Sequence, residues 1–76
     1  MSWLVNLKVK VEIDNGGPLK VLEVDVEEGT TVSGIYRYVG LVRESYIATI
    51  KGRLVPDQVK LQNGDVVRLV RVSSGG

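Results

Sequence analysis

Along residues 3–13 apolar and polar positions alternate: Val5, Leu7, Val9, Val11 and Ile13 fall on one face, and Asn6, Lys8, Lys10 and Glu12 on the other. A period of two in β-branched residues predicts a half-buried strand. Asp14-Asn15-Gly16-Gly17 follows, residue types that accept positive φ, so the chain turns back as a hairpin. Alternation resumes over residues 19–26, with Leu22, Val24 and Val26 inward and Pro18 just before the strand, where its missing N–H costs nothing. After Glu27-Glu28-Gly29 the period changes. Val32, Ile35, Tyr36 and Val39 recur at i, i+3, i+4 and i+7, which predicts a short helix capped by Thr30 or Thr31 and stopped by Gly40. Gly34 lies inside it at a cost of about 1 kcal/mol relative to Ala, so the helix needs a sheet to dock on. Residues 46–50 predict a third strand, Lys51-Gly52 a turn, Arg53–Val55 a short strand ended by Pro56-Asp57, and residues 58–62 an irregular crossover or one helical turn. Asn63-Gly64-Asp65 turns the chain into a last strand, Val66–Val72. One helix covers one face of such a sheet and leaves the other to solvent or a partner, an α+β domain over residues 1–72 with a polar, flexible tail over residues 73–76.

Composition narrows the function. The chain has 76 residues with ten Lys+Arg against nine Asp+Glu, one small domain without the basic excess of a dedicated nucleic-acid binder. It contains no Cys and no His, which removes thiol and imidazole catalysis, disulfides and the commonest zinc ligands. No enzymatic activity and no metal or cofactor bound by the chain itself are expected. No apolar run is long enough to span a membrane and no secretory leader is recognisable, so a cytoplasmic location is the expectation.

The order strand, strand, helix, strand, short strand, strand, closed by Gly75-Gly76, resembles the β-grasp fold of ubiquitin and of the bacterial-type sulfur carriers, the ThiS/MoaD family. The likeness covers nearly the whole chain. Val26-Glu27-Glu28-Gly29-Thr30-Thr31-Val32 is similar to the family's passage from strand to helix, Asn63-Gly64-Asp65-Val66-Val67 to its turn into the final strand, and Val72-Ser73-Ser74-Gly75-Gly76 to its terminal signature. Two stretches depart: Lys51-Gly52 stands where sulfur carriers often have Asn-Gly, and Arg71-Val72-Ser73-Ser74 where they often have a proline. The resemblance implies a mixed sheet of four to five strands with one helix on one face. It also implies a carrier whose Gly76 carboxylate is adenylated with ATP by a separate, ubiquitin-activating-type enzyme. The product would be a thiocarboxylate for a sulfurtransferase or sulfur-accepting enzyme, or an isopeptide on lysine-bearing target proteins. A non-covalent β-grasp interaction module is the third reading.

The tail suits that chemistry. A carboxylate is a poor acyl donor until its oxygen is placed on a phosphate. Glycine allows close backbone approach, and Ser73, Ser74, Gly75 and Gly76 reach roughly 13 Å when extended. The last strand supplies a docking surface. Arg68 is hard to bury unpaired, so Val67 and Leu69 are expected in the core, with Val66, Arg68, Val70 and Val72 outward. In the β-grasp arrangement Lys8 and Lys10 of the first strand would flank that stripe, and an apolar stripe rimmed by charge is a candidate interface for the activating enzyme. Trp3 reads as a lid on the sheet edge or an exposed contact. Glu27-Glu28 complements the helix dipole. Tyr36, Tyr38 and Tyr46 lack the basic interleaving of a stacking platform, so no direct nucleic-acid or membrane partner is expected.

Overall fold

The computed structural model describes residues 6–72. The expectations for Trp3, Val5 and Ser73–Gly76 lie outside the described residues. Strands β1 (Asn6–Asp14) and β2 (Lys20–Glu27) form the hairpin, α1 spans Val32–Val39, and a 3-10 turn spans Arg43–Ser45. Strands β3 (Tyr46–Ile50), β4 (Arg53–Leu54) and β5 (Val66–Arg71) complete one sheet in the order β2-β1-β5-β3-β4. β1 and β5 run parallel at its centre and the other neighbours are antiparallel.

The core follows from this order. A central strand is shielded on both edges, so the residues it turns toward the helix lose the most water. The most deeply buried side chains are Val9 and Val11 of β1, Val67 and Leu69 of β5, and Val32 and Ile35 of α1. Arg68 points to solvent, as its charge requires. No polar or charged side chain is buried among the described residues.

The helix ends as its sequence dictates. Thr31 takes the N-cap position with extended backbone but makes no side-chain cap bond. Gly40 takes φ 74°, where a side chain would be strained, and its N–H and that of Leu41 close onto the carbonyls of Arg37 and Tyr36. Gly34 has a packing reason: a Cβ there would sit 3.0 Å from the Thr30 methyl, and Thr30 is held on both sides by backbone bonds to Glu27 and Leu61.

Four strands differ in their boundaries from the sequence reading: β1 runs on to Asp14, β2 spans Lys20–Glu27 in place of residues 19–26, and the fourth and last strands each end one residue early. The fourth strand spans Arg53–Leu54, one residue short of Val55, although Val55 N–H still donates to the carbonyl of Ala48, the next residue in the β3–β4 register. The crossover is irregular, the first of the two forms expected; Lys60 forms a bridge with Thr31, and the Val59 and Asp57 carbonyls take the Val32 and Ser33 N–H groups. These contacts satisfy donors at the helix start that its unused cap leaves open. The last strand stops at Arg71, one residue early.

Candidate functional site

The outer face of the sheet, away from α1, carries alternate residues of every strand. On β5 these are Val66, Arg68 and Val70; register places Lys10, Glu12 and Asp14 of β1 directly beside them. On the opposite side Ile47 faces Val70, Thr49 faces Arg68, and Leu54 of β4 faces Thr49. Ile47, Val66 and Leu54 are exposed, Leu54 at 70%, while Val70 and Val72 are half-buried. The apolar surface is therefore not a stripe along β5 alone. It runs across the sheet from Val70 through Ile47 to Leu54.

The sequence-derived site residues separate into two ends. Lys8 and Lys10 lie toward the start of β5. The turn Asn63-Gly64-Asp65 is tied to β1 there by Lys8 N–H to Asn63 Oδ1 (2.9 Å), Gly64 N–H to the Lys8 carbonyl (2.8 Å) and Lys10 N–H to the Asp65 carbonyl (2.9 Å). Lys10 flanks Val66, but Val70 is four residues on, about 13 Å along the strand. Across β1, Lys8 and Lys10 face Asp25 and Glu23 of β2. Arg68 has its own partner, with Nε 3.8 Å from Glu12 Oε1. At the far end Val72 N–H donates to the Ser45 carbonyl at 2.9 Å, which fixes the base from which Ser73, Ser74, Gly75 and Gly76 continue. Beside it Tyr46 Oη donates to Asn15 Oδ1 and fastens the hairpin tip to β3.

Ile47 and Leu54 are the members sequence reasoning missed. Thr49 is the one polar residue in Tyr46–Ile50, and it marks the outward parity that Ile47 shares. Leu54 sits in a two-residue strand too short for any period to show.

The rest of the surface offers little chemistry. An open cleft of 610 Å³ lies beside Tyr36, Tyr46, Ala48 and Pro56, crossed by the ion pair of Arg43 with Asp57. Burial there pushes the Tyr36 hydroxyl above its ordinary value, and the nearby Arg43 charge opposes this in part. A second cleft, 780 Å³, lies beside Asn6, Gly29 and Lys60. No cluster of three or more potential metal ligands occurs among the described residues.

Known proteins bear on this arrangement. An archaeal ubiquitin from Caldiarchaeum subterraneum superposes with a TM-score of 0.75 at 26% identity, covering 95% of this chain and all of that one. The C-terminal ubiquitin-like domain of mouse tubulin-specific chaperone e superposes at 0.68 with 16% identity, over 100% of this chain and 96% of that one. A designed protein based on ubiquitin superposes at 0.66 with 23% identity, over 92% and 93%. The last two likenesses are of fold alone, and all three have the β-grasp architecture. The ThiS family profile matches residues 11–76, from the middle of β1 through Gly75-Gly76, and the chain belongs to the ThiS family.

Proposed function

We propose that this chain is a ubiquitin-like sulfur carrier. An oxygen of the Gly76 carboxylate attacks the α-phosphorus of ATP within a separate adenylating enzyme, and pyrophosphate leaves. The terminal sulfur of a persulfide on a sulfurtransferase then attacks the acyl carbon, and AMP leaves with the bonding pair. A thiol reductant cleaves the resulting acyl disulfide, and the product is a C-terminal thiocarboxylate that a sulfur-accepting enzyme consumes. The ThiS family match carries this reading, because it includes both the last strand and Gly75-Gly76. Members of that family are small carriers and not enzymes. The chain itself binds no ATP in this scheme.

The adenylating enzyme docks on the outer face around Val70, Ile47 and Leu54, with Val66, Arg68 and Val72 at its margins. What supports this is continuity: that apolar surface adjoins the base of the tail at Val72. Lys8 and Lys10 stand at the rim, opposite Asp25 and Glu23 in the register of β1 and β2. The likeness to an archaeal ubiquitin at 26% identity favours a second use of the same activated terminus, an isopeptide bond to a target lysine.

The test is the intact mass after incubation with ATP, the host's adenylating enzyme and a sulfur source. Replacement of one oxygen by sulfur, lost on deletion of Gly76, is the expected result. Conjugates leaving Gly-Gly on lysines without that replacement would turn the reading to protein modification. Neither product from a folded chain and a competent enzyme would refute both.

A further inference from the structure

We infer that the free edge of β2 is a second docking surface, one that accepts an extended, basic segment of another protein as an added strand. Among the described residues β2 is the outermost strand on its side of the sheet. Its eight residues contain neither Pro nor Gly, and its pairing with β1 runs without a bulge from Asn6 opposite Glu27 to Ile13 opposite Lys20. Its other edge therefore offers an unbroken set of backbone donors and acceptors about 25 Å long. Edges left this regular are ordinarily guarded by charge, and the kind of charge selects the occupant.

Here the guard is acidic. Glu23, Asp25 and Glu27 are exposed on the outer face. Behind Glu23 and Asp25 stand Lys10 and Lys8 of β1. A strand laid against β2 puts alternate residues beside Glu23, Asp25 and Glu27, so it needs Lys or Arg at every second position. Its intervening residues fall on the helix side, next to half-buried Leu22, and are apolar. The ladder then reads positive, negative, positive across three strands, and directly opposed opposite charges stabilise a sheet. A second copy of this chain does not fit: antiparallel pairing centred on Val24 sets Glu23 against Asp25 of the other copy. The occupant is thus a different protein's segment with basic and apolar residues in alternation.

The edge is independent of the carrier reading. Leu54 lies four strands from β2, about 19 Å across the sheet, so a strand added at β2 leaves the outer apolar face and the tail base uncovered. A partner can hold the carrier by its edge while the terminus is engaged.

The probe is a capped synthetic octapeptide alternating Lys and Val, titrated into the isotope-labelled full chain. Amide shifts and exchange are read along β2, with a peptide of the same composition whose lysines are contiguous as control. The alternating peptide is expected to shift residues 20–27 and slow their exchange, and the contiguous one is not. Glu23→Gln with Asp25→Asn is expected to weaken binding about two- to thirtyfold, as two opposed-charge pairs disappear. A second variant reverses the whole row while keeping opposite charges across β1 and β2: Lys8→Glu, Lys10→Glu, Glu23→Lys, Asp25→Lys and Glu27→Lys together. It is expected to prefer an alternating Glu-Val peptide. Equal binding of the contiguous peptide, shifts confined to other strands, self-association through β2, or no binding at millimolar peptide would each overturn the inference. None of these readouts uses the adenylating enzyme, so failure here leaves the carrier reading standing, and the reverse.

Discussion

Leu54→Asp separates the docking face from the fold more cleanly than any other single change. Full burial of a leucine side chain is worth about 1.5–3 kcal/mol. Leu54 is 70% exposed, so folding draws on about a third of that, and the substitution is expected to cost the domain about 0.5–1 kcal/mol. If the adenylating enzyme covers the remainder, docking loses about 1–2 kcal/mol, which is about five- to thirtyfold in KM. Val70→Asp and Arg68→Glu are less discriminating, because register sets the new carboxylates beside Asp14 and Glu12 and like charges strain the ladder. Ile47 is only 40% exposed, so its loss weighs more on the fold. The assay is ATP–pyrophosphate exchange by the adenylating enzyme with carrier concentration varied, beside thermal unfolding of the carrier alone. A raised KM with an unchanged maximal rate and a melting point lowered by a few degrees is the expected result. A KM within twofold of the parent in a folded protein would show that Leu54 is not covered, and the apolar surface would lose its assigned role.

Ile35→Ala empties the centre of the core at a side chain with no exposure; urea titration is expected to show a loss of about 2–5 kcal/mol, a large part of the total for a domain this size. Gly40→Ala meets nothing within 4 Å, so its cost is purely that of a side chain at φ 74°, about 1–2 kcal/mol, and should appear as a lowered melting temperature with native helix content. The Tyr36 hydroxyl is raised above 10.0 by burial. The folded state therefore holds that proton more tightly than the unfolded one. The stability this contributes is complete below pH 10 and is lost as pH rises toward the folded value. Tyr36→Phe is expected to flatten that part of an unfolding-versus-pH curve, and an unchanged slope would refute the assignment.

The elements legible in the sequence are those whose pattern repeats. β1 shows four inward residues in strict alternation, Leu7 to Ile13, and all four are buried. α1 shows its face at helical spacing and its stop at Gly40, and both are as expected, although Val39 at the frayed end is only half-buried. The 3-10 turn Arg43–Ser45 has three residues, fewer than a period needs, and its ion pair with Asp57 joins positions fourteen apart. The crossover carried no helix because its backbone groups are used by the start of α1. That is a tertiary demand without a local signature.

The proposed docking face was legible by strand but not by neighbour. Charge alone settles that Arg68 points outward, and with it the parity of Val66 and Val70. Which side chains lie beside them depends on the order and register of strands distant in sequence. The sheet order brings Ile47 to Val70 and Glu12 to Arg68, so half of the apolar surface comes from β3 and β4 and the arginine is partly neutralised within the chain. Lys8 and Lys10 stand opposite Asp25 and Glu23 in register, the inner row of alternating charge beside the β2 edge. The same register thus makes the β5 side of the sheet apolar near the tail and the β2 side alternately charged at the edge. On the proposed function and the inferred edge site, this division gives a carrier that must present its terminus to successive enzymes one surface to be covered during activation and another that need not be.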